Sequence, residues 1–131
     1  MTDKSWGSSV FPYQTITSQF GLSVGLPIFV GAAPEGTALA YATMNVVQSN
    51  PVVLAPRVSA WTESLLQVSL HGAKLTEVEF YLGLVIKTFR FYSSSDIADM
   101  VLMNSAADYN RQPTLSGNRG WVGTLEYKVL H

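Results

Sequence analysis

The sequence predicts an α+β chain that is mainly β: an antiparallel sheet of six or seven strands, one principal helix near 96–108 and a C-terminal strand. Three observations predict it. Apolar and polar residues alternate with a period of two along most of the chain. Gly and Pro punctuate it at intervals of roughly ten residues, as the turns of an antiparallel sheet do. One stretch, KTFRFYSSSDIADMVLMN from Lys87 to Asn104, changes in its middle from that period to one of about 3.6. No repeat, low-complexity tract or linker divides the 131 residues, so a single domain, 1–131, is expected.

The elements follow in order. Leu22, Val24, Leu26, Ile28 and Val30 alternate with smaller residues, which predicts a strand, and Pro27 places it at an edge or an interruption. Gly31 to Gly36 reads as a turn. Thr37 to Gln48 alternates again, with Ala38, Ala40, Ala42, Met44 and Val46 on one face, and Gln48-Ser49-Asn50-Pro51 is a second turn signal. Val58 to Leu70 and Leu75 to Tyr92 are expected to form a hairpin around Gly72-Ala73-Lys74. Its register opposes Leu66 to Phe80 and Val68 to Val78, because a slip of one residue would set Val68 against Glu77. Gly83 is read as a bulge or bend in the second strand. Ser94, Ser95 or Asp96 can cap a helix, and Asp96 and Asp99 suit the positive end of its dipole, so the helix is expected from about Asp96 to Asp108. Gly120 to Leu130 closes the chain as a strand, with Trp121, Leu125, Tyr127 and Val129 on one side.

Composition narrows the function. Hydrophobic residues make up 47% and charged residues 13%, against roughly 25% charged in ordinary soluble domains. Between Ser5 and Pro56 the only formal charge is Glu35. A surface so poor in charge is either neutral and polar or covered by another subunit. No run reaches the roughly 20 apolar residues of a membrane helix, no secretory signal is visible in MTDKSWGSSV, and synthesis in a cytosol is the expectation. Without cysteine there is no disulfide, thiolate metal site or cysteine nucleophile.

No motif names a reaction. Neither the Gly-x-Ser-x-Gly elbow nor a phosphate loop occurs. His71 beside a loop and His131 at the end of the chain are expected at the surface. Asp96 with Asp99 could share a metal and Glu77 with Glu79 could act as paired carboxylates. Helix capping and a solvated strand face account for them more simply. No enzyme activity, metal or cofactor is therefore expected. A modest basic set remains: Lys87 and Arg90 on the predicted long strand, with Thr88 and Tyr92 on the face of Arg90, and Arg57 at a strand start. Strand-borne basics with aromatics can hold single-stranded or hairpin RNA by phosphate contact and stacking. Lys87 and Arg90 are three apart and would point to opposite faces of a regular strand.

The stretch FRFYSSSDIADMVLMNSA, Phe89 to Ala106, resembles the coat proteins of single-stranded RNA bacteriophages: a long strand ending in Ser and Asp, then an apolar helix, in a chain otherwise made of sheet. The resemblance covers about one seventh of the chain. It implies a dimer with interlocking helices, an RNA-binding inner sheet face and a place in a virion. The family has a second C-terminal helix where this chain reads as strand.

The expectation is thus a self-assembling coat protein that contacts packaged RNA through a sheet face, with a subunit interface at Ile97, Met100, Val101, Leu102 and Met103. The alternatives are a phage decoration or tail subunit, and a small module holding a ligand or glycan between aromatics such as Tyr41, Trp61 and Trp121.

Overall fold

The structure, a computed structural model, describes residues 10–52, 61–110 and 120–131. The order of elements is α1 (Tyr13–Ser23), β1 (Ile28–Val30), β2 (Tyr41–Val52), β3 (Trp61–Gly72), α2 (Leu75–Phe89), β4 (Asp99–Asn110) and β5 (Gly120–Leu130). The strands form one sheet in the order β1-β2-β3-β5-β4. β1 runs parallel to β2 and every other pair is antiparallel. Both helices pack on one face of it. The α+β, mainly β class stands, with five strands in place of six or seven and two helices in place of one among the described residues.

The core lies between that sheet face and the helices. β3 alternates without a break, burying Thr62, Ser64, Leu66, Val68 and Leu70 toward the helices. β2 contributes Ala42 and Met44, and β5 contributes Leu125, Tyr127 and Val129. Of the face expected for β2, Ala42 and Met44 point to the helices, whereas Ala38 and Ala40 precede the strand and Ala38 is exposed. The strand begins at Tyr41 rather than Thr37, and it runs through the predicted turn at Gln48 to Pro51, with a bulge between Val46 and Gln48. Beyond Met44 no described strand lies outside β2, so Pro51 sits on an edge, where its missing N–H removes no ladder bond.

The expected first strand begins inside a helix, α1, which ends at Ser23. Ile16, Phe20 and Val24 recur every fourth residue and are buried, while Leu22, which the strand reading placed with Val24, is exposed. Gly25, at φ +78°, ends the helix in the left-handed conformation that glycine adopts without a Cβ penalty, and the Val24 N–H closes onto the Phe20 carbonyl at 2.8 Å. Only Ile28–Val30 of that segment is strand.

The central correction concerns the hairpin and the principal helix. Leu75–Phe89 is helix α2, burying Val78, Leu82, Val85 and Phe89 at spacings of four, three and four. Gly83 is on its solvent side and is no bulge, and Phe80, expected opposite Leu66, is exposed. β3 pairs instead with β5, which opposes Leu66 to Tyr127 and Val68 to Leu125. Gly123 makes room for α2 to approach β5 closely. A Cβ on Gly123 would lie 2.7 Å from Val78 Cγ1 and 2.9 Å from Leu82 Cδ1.

The helix expected near 96–108 is β4, paired with β5 along its length, with a bulge between Leu102 and Asn104. Ser94 and Asp96 cap no helix. The Ser94 hydroxyl donates to Asp96 Oδ1 at 2.7 Å and accepts from the Ile97 N–H at 3.2 Å, which folds a tight turn into β4.

Candidate assembly edge

β4 is the outer strand of the sheet, and one row of its backbone N–H and C=O groups faces away from β5. From Met100 to Ala107 it carries no charged residue. Met100 and the preceding Ile97 are buried in the core, whereas Val101, Leu102 and Met103 are 45%, 37% and 53% exposed. The predicted interface set is therefore divided. Two members hold the strand onto the domain, and three consecutive apolar side chains stand in solvent. They lie on an edge strand and not on a helix.

Beside the start of β4, where the end of α2 passes over the sheet, lies a mainly apolar cleft of about 380 Å³. Ile86, Phe89, Met100, Leu102 and Tyr127 line it, and Arg90, Phe91 and Asp99 stand at its rim. Tyr127 is nearly fully buried, and its hydroxyl has no hydrogen-bond partner among the described residues. Burial pushes its pKa up to about 12, because the phenolate would lose its water. Phe91 is a non-glycine residue at φ +57°, a sparsely populated conformation, and its ring is among the most exposed apolar surfaces of the molecule. The Arg90 guanidinium sits over that ring at 5.2 Å from its centroid.

The described members of the predicted nucleic-acid set fall elsewhere than on a sheet face. Lys87 and Thr88 are in the last turn of α2, and the Thr88 hydroxyl donates to the Leu84 carbonyl at 2.7 Å. Arg90 caps the helix, and Tyr92 packs edge-on against Phe89 at 5.4 Å in the following loop. Arg57 lies outside the described residues. The sheet face away from the helices carries Lys128 as its one Lys or Arg among the described residues, 3.6 Å from Glu63. The strand-then-helix pattern that carried the coat-protein resemblance is reversed in space, since Phe89 ends a helix and Asp99 begins a strand.

Both histidines are less exposed than expected. His71 stacks on Tyr41 at 4.6 Å, and burial lowers its pKa. His131 is fully buried, with Nε2 2.7 Å from Ser64 Oγ, which in turn meets Ser49 Oγ at 2.8 Å. Ser64 is 1% exposed, so its hydroxyl ties strands together and is not presented to solvent. Asp96 receives the Thr15 hydroxyl at 2.6 Å. Burial works to raise its pKa, but the hydrogen bonds from Thr15 and Ser94, its own backbone N–H and the nearby His131 together hold it below 3.8. Glu77 is in the first turn of α2, and no cluster of three or more His, Cys, Asp or Glu occurs among the described residues. Tyr41 and Trp121 belong to the end of the sheet where His71 pairs, and Trp61 to the opposite end of β3, so the three aromatics do not enclose one site.

What sequence reasoning missed was the edge itself. The exposed run Val101-Leu102-Met103 was visible, but its meaning depended on β4 being outermost. No helix among the described residues is long and apolar enough to cross a membrane. No family model and no curated protein matches the sequence. Among solved structures, the fold is similar to that of a chain from one described as "Virion of native gene transfer agent (GTA) particle", with a TM-score of 0.57 and 10% identity over 90% of each chain. At that identity the likeness is one of fold.

Proposed function

We propose that this chain is a structural subunit of a virion or phage-like particle and works as a homo-oligomer joined through the exposed edge of its sheet. The observation that carries the reading is β4, a long outer strand without charge from Met100 to Ala107, with Val101, Leu102 and Met103 in solvent. Monomeric proteins block such edges with charges, proline or a covering element. Among the described residues this one has a single bulge, and an apolar cleft beside it. The fold it shares with a chain of a gene transfer agent virion supports the particle context. Contact with packaged RNA through a sheet face forms no part of the proposal, because that face offers a single, Glu63-paired lysine among the described residues.

Light scattering on the purified protein tests it. A mass several times the 14.3 kDa of one chain is expected. A megadalton particle would identify a shell, and a small defined oligomer a decoration or tail subunit. A monomer throughout a concentration series would overturn the proposal.

A further inference from the structure

The sheet ends in two unlike edges, β4 on one side and β1 on the other. Their directions follow from the pairing: β3 and β4 run one way, while β1, β2 and β5 run the other. A second copy set beside the first, with its helices on the same side, therefore brings its β1 antiparallel to β4. Face parity agrees. Ile28 and Val30 pair with Ala42 and Met44, which point to the helix face, and the cleft beside β4 opens on that same face. Val30 is 49% exposed in the single chain.

Charge agrees as well. Neither Ile28–Val30 nor Met100–Ala107 carries any, so the two edges do not repel. Antiparallel alignment directs the chain that follows Val30, with Glu35, toward the start of β4, where Arg90 stands exposed beside the cleft. Among the described residues neither Glu35 nor Arg90 has an ion-pair partner within its own chain. Pairing β4 with a second β4 would instead bring the Asp99 end of each strand to the Asp108 end of the other.

We infer that β4 and its cleft receive β1 of a second copy, a strand addition in which Val30 or Ile28 fills the cleft and Glu35 faces Arg90. Such an interface is head-to-tail, so copies continue into a ring or filament and do not stop at a symmetric pair. Backbone bonds along the edge supply attachment, and the cleft selects the incoming side chain.

The inference rests on the proposed self-association, and the test separates the two. Val30→Lys spoils only the β1 edge and Leu102→Lys only the β4 edge. Each variant alone should sediment as a monomer. An equal mixture should double the mass and stop there, because each partner keeps one intact edge and the remaining edges both carry lysine. Glu35→Arg and Arg90→Glu, both at exposed positions, form a second test that does not strain the fold. Each should weaken assembly, and the double variant should restore it. If Val30→Lys assembles like the parent protein, or the mixture stays monomeric, or the double reversal restores nothing, the inference is overturned while self-association stands. A parent protein that is itself monomeric overturns both.

Discussion

Replacing Gly123 by Ala puts one methyl group where α2 crosses β5, and its cost tests whether Leu75–Phe89 is a helix on this sheet. The new Cβ would lie 2.7 Å from Val78 Cγ1 and 2.9 and 3.0 Å from the two Leu82 methyls, where carbon atoms prefer roughly 3.5–4.0 Å. Leu82 can move its ends aside. Val78 is stiff, because a valine in a helix has one strongly preferred rotamer, so relief requires α2 to retreat from the sheet. Overpacking of this kind costs about 1–3 kcal/mol, set against a gain of about 0.4–1 kcal/mol from the less flexible unfolded chain. A net loss of about 1–2 kcal/mol is expected in urea unfolding. Val78→Ala removes the colliding methyl, so the double variant should lose less than the sum of the singles, with a coupling of at least about 0.5 kcal/mol. If Gly123→Ala is as stable as the parent protein, or the two changes are additive, α2 does not pack at Gly123 and the placement of this helix is refuted.

Two further outcomes concern pH. The pKa of Tyr127 is raised to about 12 in the fold against about 10 in an unfolded chain. Stability should therefore fall as pH rises from about 10 to 12, by up to about 3 kcal/mol, and Tyr127→Phe should flatten that alkaline limb in a pH series of thermal melts. Asp96 is held below 3.8, so the stability it contributes is present above that value and is lost as pH falls through the lower folded pKa. Asp96→Asn should make the acid limb shallower. An unchanged limb in either variant would remove that group from the linkage.

The presumed hairpin shows where local reading stops. Val78, Phe80, Leu82 and Leu84 alternate as a strand does, and Val78, Leu82, Val85 and Phe89 repeat as a helix does, so the same residues satisfy both periods. β3 lies between β2 and β5, and β5 is more than fifty residues away along the chain by its pairing of Ser69 with Thr124. Nothing local announces that pairing except Gly123, which interrupts the last strand where the helix needs room. The opposite error at β4 has a related cause. An outer strand whose exposed stretch is covered on neither face need not alternate, and Met100-Val101-Leu102-Met103 shows no period of two. With Ser94 and Asp96 before it, the run matched a capped helix, although the two side chains bond each other and Asp96 also holds Thr15 of α1.

From the sequence alone came the mixed, mainly β class, the strands β3 and β5, the shared face of Ala42 and Met44 in β2, and an uncharged apolar run near residue 101. Each of these depends on residues close in the chain. β3 and β5 bury one face and leave the other partly open, and that asymmetry writes a period of two into the sequence. Tertiary structure alone decided which apolar segment became α2 and which became β4. It also decided that β4 is outermost, that Arg90 ends a helix, and that an uncharged edge lies beside an apolar cleft. Those facts follow from which strand lies next to which, an outcome of burial summed over the whole sheet and not of any local preference.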